Sequence, residues 1–149
     1  MGVGTTYSIG VAAEAARTTP RKIRRLIDTN VTPLRANDVK ATGSGSRVGL
    51  SRSRILQVAV TTPLVKSGVS LSNAAKAALA FTDCGSAGRE PGELFEHGKT
   101  VLVIGPEGPT VRNIAFDASM ADVSHGVCTI TVDLTRIVES VDSTLKETR

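Results

Sequence analysis

Thr18-Thr19-Pro20-Arg21-Lys22-Ile23-Arg24-Arg25-Leu26-Ile27-Asp28 is the stretch on which the reading of this chain turns. Thr19 suits a helix N-cap, its hydroxyl accepting an otherwise orphan backbone N–H. Pro20 then falls at the first helical position, where a missing N–H costs nothing. Ile23, Leu26 and Ile27 recur at i, i+3 and i+4 as one narrow apolar stripe. Arg21 and Arg25 project from the opposite side, flanked by Lys22 and Arg24. The charge placement is the informative part. Arg21 and Lys22 lie in the first turn, where the helix dipole is positive and cations are disfavoured. They gain little there unless an anion docks against that end. A solvated basic face is the plain alternative; the position at a helix N-terminus points to nucleic acid.

Upstream, residues 1–6 are small and polar and read as disordered. Ser8 can cap a short helix over Ile9–Ala16, whose Ile9, Ala12, Ala13 and Ala16 share one face. Short helix, tight turn and basic helix together form the pattern of a helix-turn-helix, whose second helix enters the major groove. Downstream, Asn30 suits a left-handed helix stop. Arg35–Arg47 is polar, and its Thr42-Gly43-Ser44-Gly45-Ser46 reads as a flexible turn flanked by Lys40 and Arg47. Extended pieces on either side predict a β-hairpin wing, with a plain linker as the alternative. Ser51 can cap a third helix to about Lys66 with Ile55, Val58 and Ala59 inward, kinked or shortened at Pro63. Gly68 ends it, and Ser70 caps a fourth helix with Leu71, Ala74, Ala75 and Ala78 as its apolar face.

Tyr7-Ser8-Ile9, Ala13, Pro20, Ile23-Arg24, Arg47 to Ser51 and Gly68-Val69-Ser70-Leu71 together resemble the DNA-binding domain of the MerR family. Ala13 stands four residues after Ile9, and Ile23-Arg24 stands fourteen and fifteen after it, as the resemblance requires. It covers roughly residues 7–80 and implies a winged helix-turn-helix that binds operators as a dimer. By that resemblance Arg24, with Arg21 and Lys22, belongs to the recognition helix and Arg47 to the wing. Leu26 and Ile27 stand where aromatics usually follow the helix arginine, and Gly45-Ser46-Arg47-Val48-Gly49-Leu50 departs from the usual Gly-Tyr-Arg-x-Tyr wing. Excisionases and some phage proteins share the fold more loosely.

Past residue 81 the character changes. Residues 82–98 are Gly-rich and acidic and read as a linker, with a turn of helix near Glu93–Glu96. Val101–Ile104, Val111–Phe116 and Val127–Val132 are strand candidates rich in β-branched residues, the first two separated by Gly105-Pro106-Glu107-Gly108-Pro109. Leu134, Ile137, Val138, Val141 and Leu145 then mark an amphipathic helix. That helix either closes the small sheet or pairs with a second copy; dimerisation through these five residues is the favoured reading. The fold class is therefore α+β: a DNA-binding unit at 7–81, a linker at 82–98, and a sheet-plus-helix dimerisation unit at 99–149.

Charge follows the same division. Of the 149 residues, 1–81 carry 12 Lys/Arg against three acids, a balance of +9, and 82–149 carry six against eleven, a balance of −5. A basic half of this kind meets a polyanion. It lacks the aromatic or leucine face of an interfacial helix, so double-stranded DNA is the expected partner and a membrane is not. No apolar run approaches the roughly 18 residues of a bilayer span and no leader is evident, so the expected compartment is the cytoplasm, on the nucleoid. No catalytic motif or cofactor signature stands out, so an enzyme is not expected. His125, with Ser124, Asp122 and Cys128 near it, is a weak constellation. Cys84, His97, His125 and Cys128 have no compact zinc spacing, so no metal is expected and Cys128 reads as a buried strand residue. The phenylalanines Phe81, Phe95 and Phe116 read as core anchors. The expected DNA contacts are Thr18, Thr19, Arg21, Lys22, Arg24, Arg25, Lys40 and Arg47, in a transcriptional regulator whose effector is unknown. The rival readings are an excisionase-like or phage packaging DNA-binding protein, and a protein-interaction adaptor working through its acidic half.

Overall fold

The computed structural model describes residues 4–119 and 128–148, an α+β arrangement with five helices and two small antiparallel sheets. Strand β1 (Thr6–Ser8) runs directly into α1 (Ile9–Ala15), and Ser8 Oγ accepts from the Val11 N–H at 3.3 Å. Thr6, expected in a disordered N-terminus, is thus a strand residue. A tight turn follows. The Thr18 N–H reaches the Ala13 carbonyl at 2.9 Å, and Arg17 takes a left-handed conformation at φ 53°. Glycine adopts that conformation freely, whereas a residue with a Cβ is strained by about 1–2 kcal/mol. Helix α2 (Pro20–Asp28) opens at its expected cap, Thr19 Oγ1 accepting from the Lys22 N–H at 3.3 Å. It buries Ile23 and Leu26 and is followed by Asn30 at φ 56°.

The loop after α2 differs from the expected hairpin. Only one bridge, Val39 to Gly49, links its two sides. The returning piece, β2 (Gly49–Ser51), pairs instead with β1, Tyr7 opposite Leu50. Gly49 pairs with Ser8 on one edge and with Val39 on the other, and no further bridge among the described residues links the two sides of the loop over residues 40–48.

Helix α3 (Arg52–Lys66), capped by Ser51, is the centre of the molecule, with β2, α1, α4 and α5 all against it. It is therefore buried almost all round, from Arg54 through Thr61, where a one-sided stripe is expected from sequence. It also continues through Pro63 to Lys66 rather than stopping there. The proline ring is exposed, and Thr61 and Thr62 hydroxyls bond back to the Gln57 and Val58 carbonyls at 2.8 and 2.9 Å. Gly68 (φ 95°) ends the helix, and Ser70 caps α4 (Leu71–Thr82). Leu71 is exposed at the first position of α4; Ala77, Phe81 and Thr82 join Ala74, Ala75 and Ala78 on its buried side.

Residues 83–98 fold around an arginine rather than a helical turn. Arg89, 6% exposed, donates to the carbonyls of Phe81, Cys84, Glu90 and Glu93, its guanidinium 5.1 Å from the Phe81 ring centre. The arginine thereby caps the C-terminal end of α4 and fixes the chain that follows.

The second sheet has the order β4-β3-β5, built from β3 (Lys99–Gly105), β4 (Gly108–Ile114) and β5 (Ile130–Asp133). Gly105 pairs with Gly108, so the turn is the two residues Pro106-Glu107, with Gly108 at φ 103°. Strand β4 consequently starts and ends earlier than expected, which leaves Phe116 beyond it and 67% exposed rather than in the core. Strand β5 starts at Ile130, so Cys128 precedes it and is exposed, not buried. On one sheet face Leu102, Ile104, Val111 and Val132 join the main core, where α5 (Leu134–Glu147) lies against β3 and α4 against β4. Leu134, Val138, Val141 and Leu145 are all buried there and Ile137 is half-buried, packed on the same core as α1 and α3. The stripe expected at a dimer interface is thus covered within the chain, because α5 reaches past its sheet to α1 and α3. Among the described residues no helix is long and apolar enough to cross a membrane.

The strained turn yields a first prediction. Arg17→Gly should raise unfolding free energy by about 0.5–1 kcal/mol, the relieved strain exceeding the added chain entropy. Chemical denaturation checks this, and a destabilised variant would mean that the Arg17 side chain outweighs its backbone.

Candidate nucleic-acid interface

Arg21, Lys22, Arg24 and Arg25 are all exposed on α2, and no acid in its first turn offsets the two leading cations. Thr19 is held as the cap and Thr18 is half-buried in the turn. The loop 40–48 brings Arg47 to the same side. Arg24 and Arg47 line one concavity of about 490 Å³, together with Ser8 at the end of β1, Ile9 and Gly10 of α1, and Asp28, Ala41, Ser46 and Val48. Lys40 is exposed but does not line that concavity. The loop tip is tied rather than loose: Ser46 Oγ accepts from the Thr42 and Gly43 N–H groups at 2.7 and 3.0 Å and donates to the Gly43 carbonyl at 2.8 Å. Positive φ at Gly45 lets the chain turn back there.

Two classes of cation emerge from the partners they have. None of Arg21, Lys22, Arg24, Arg25, Lys40 and Arg47 has an ion pair or side-chain hydrogen bond among the described residues. Other arginines of the basic half are engaged. Arg52 makes a two-pronged contact with Asp142 on α5, at 2.7 and 2.9 Å, and a third bond to Glu93 at 2.9 Å. Its hydrogen bonding to Asp142 outweighs burial and raises its pKa further. Arg54, 2% exposed, donates to Asp83 and, at 3.1 Å, to Gln57, with Nε 3.9 Å from a fully buried Asp38 carboxylate. Asp38 in turn accepts from the backbone N–H groups of Arg35 (2.8 Å) and Ser51 (2.7 Å). The root of the 40–48 loop is thereby fastened to the start of α3, and Gln57 holds the Val31 carbonyl beyond α2 at 3.3 Å. Partial burial pushes the Asp83 carboxyl up, but bonds from Thr82, Arg54 and Arg35 and the Arg54 charge prevail and hold it below its ordinary 3.8.

The exposed surface carries a chemistry of its own. Unpaired guanidinium and ammonium groups on a helix and an adjacent loop suit phosphate oxygens, and guanidinium suits guanine edges. Asp28, one turn beyond Arg24, is an acid in this setting; it repels phosphate but can accept from a cytosine amino group. Asp28 and Ser46 are absent from the residues picked out by sequence. The signal for Asp28 is its i+4 spacing from Arg24; Ser46 has none, since its bonds depend on how the loop closes. Cys84 and Cys128 are exposed free thiols, and among the described residues no three His, Cys, Asp or Glu side chains gather to hold a metal. His125, Ser124 and Asp122 lie outside the described residues. No family model matches the chain, and no curated protein matches it.

The two classes of cation predict unequal stability effects. Arg54→Leu should cost about 3–5 kcal/mol, since it leaves the buried Asp38 carboxylate without a counter-charge. Single Gln substitutions at Arg21, Lys22, Arg24 or Arg25 should stay within about 0.5 kcal/mol of the parent protein. Equal losses in urea melts would erase the distinction between them.

Asp83 also sets an acid limit. A folded pKa below the unfolded one gives stabilisation that is complete above the unfolded value and lost as pH falls through the folded one. Stability should therefore drop on acidification below 3.8, and the drop should be shallower in Asp83→Asn. Superimposable pH profiles of the two proteins would contradict the assignment.

Proposed function

We propose that this chain binds double-stranded DNA sequence-specifically as a transcriptional regulator, with α1 and α2 acting as a helix-turn-helix and residues 40–48 as its wing. The observation that carries this reading is the sorting of cations. Arg35, Arg52 and Arg54 are engaged by acids of the chain, while the α2 and loop cations stand exposed without partners among the described residues, with Arg24 and Arg47 lining one concavity. The resemblance of residues 7–80 to MerR-type DNA-binding domains supports the same reading. In it, Arg24 reads base edges, Arg21, Lys22 and Arg25 hold phosphates or bases of the major groove, and Arg47 with Lys40 reaches the flanking groove or backbone. Thr18 and Thr19 lie at the helix entry, where backbone N–H groups can meet a phosphate. One such helix reads few base pairs, so two copies on a two-fold site belong to the proposal. Their pairing surface is other than the α5 stripe, which the chain itself buries. Such a protein works in the cytoplasm, on the nucleoid.

The test uses the full chain and a randomised duplex pool. A preferred sequence should emerge, bound by two copies as judged by sedimentation. Affinity should fall with salt at a log–log slope of about 0.9 per phosphate contact. Arg24→Ala should lose about 1–3 kcal/mol on the preferred site and relax its specificity, while Lys22→Ala weakens all sequences alike. Salt-independent retention, or no retention at all, would falsify the reading and favour the rival protein-interaction adaptor.

A further inference from the structure

A second concavity lies on another part of the molecule, between α1, α3 and α5. We propose that it is a binding site for an amphipathic organic anion, a carboxylate or sulfonate head on an apolar body. Its floor is apolar, made by Ala16 and Ala59 with Pro63, Ile137 and Val141. Three cations stand around it, one from each wall: Arg17 after α1, Lys66 at the end of α3 and Arg136 in the first turn of α5. No carboxylate of the described residues lines it. Three cations around an apolar groove with no acid among its described lining residues give its mouth a positive potential, which favours an anionic ligand head.

The individual groups are placed for that task. The Arg17 guanidinium reaches α5 and donates to Ser140 Oγ at 3.3 Å, which pins it at the groove while its remaining N–H donors have no partner among the described residues. This is the residue held at φ 53°, in a turn position where glycine would be unstrained. Strain kept at a position whose side chain lines a cavity fits a binding role. Lys66 and Arg136 are exposed and likewise without an ion-pair partner among the described residues. The volume, about 400 Å³, suits a small molecule rather than a protein segment. An apolar floor disfavours a bare inorganic anion, because it offers no donors to replace the water lost. An apolar body on the floor with its head among the three cations satisfies both surfaces. The proposal is independent of DNA binding.

The test takes the full chain with 8-anilinonaphthalene-1-sulfonate and its uncharged counterpart N-phenyl-1-naphthylamine, which shares the aromatic body but lacks the sulfonate. The sulfonate probe should bind saturably at one site, with amide shifts in nuclear magnetic resonance spectra confined to residues about Ala16, Ala59 and Ile137. The uncharged compound should bind at least about fivefold more weakly, and Lys66→Gln with Arg136→Gln should weaken the sulfonate by a similar factor while leaving the melting temperature unchanged. Equal affinity for the two compounds, indifference to the double substitution, shifts that map elsewhere, or no saturation by about 1 mM would each overturn the proposal.

Discussion

A guanidinium that keeps only 2% of its surface in contact with solvent must be matched by charge and hydrogen bonds, and around Arg54 the chain gathers both. Asp83 comes from the C-terminal cap of α4, Asp38 from the loop after α2, and Gln57 from one turn further along α3. Each of these groups has a second attachment. Asp38 holds the Arg35 and Ser51 backbone, Gln57 holds the Val31 carbonyl, and Asp83 accepts from Arg35 and Thr82. The position of the loop relative to α2 is thus a consequence of satisfying one buried cation. The concavity lined by Arg24 and Arg47 lies between α2 and that loop, and the network holds the chain just beyond each, at Val31 and at Asp38.

The same bookkeeping changes the meaning of the charge asymmetry along the chain. A basic half and an acidic half invite the picture of two modules that face different partners. In the structure Arg52 and Arg54 of the first half are joined to Asp142, Glu93 and Asp83 of the second. Part of the asymmetry is therefore the two sides of an internal seam. What remains on the surface of α2 and the loop is smaller than the sequence total, but it is concentrated, and that is the form in which charge acts on a polyanion.

The parts of the fold legible in the sequence are those set by neighbours in the chain. Ser8, Thr19, Ser51 and Ser70 each cap the helix that follows, because a cap needs only the residues two or three further on. Asn30 and Gly68 stop helices for equally local reasons. The site is legible to the same depth: α2 and its exposed cations are where the pattern puts them, whereas Asp28 and Ser46 enter only once the loop is in place. Distant partners carry no such mark. Nothing near Arg89 announces that it will be buried against the end of α4, and nothing in the β4 stretch says where its ladder with β3 stops. The α5 stripe shows that the helix has one apolar side without showing what lies against it. Covering by α1 and α3 as well as by the sheet is a property of the whole chain.

A shortage of aromatics explains why arginines carry so much of this architecture. The chain has three Phe, one Tyr and no Trp, and much of its core is alanine and valine. Small side chains bring helices close but leave little that distinguishes one packing from another. Arg54 is among the largest fully buried side chains of the described residues, and its directional bonds to Gln57 and Asp83, with its 3.9 Å approach to Asp38, tie α3 to the end of α4 and to the loop in a way that apolar contacts do not. If the α4 end shifts, Asp83 leaves the guanidinium; if the loop shifts, Asp38 does. An apolar residue of the same volume would fill the space yet remove that interdependence, and the buried Asp38 carboxylate would then have to move towards water. The loop and the end of α4 consequently cannot vary independently, and a surface assembled from α2 and the loop inherits its fixed shape from a cation that never reaches it.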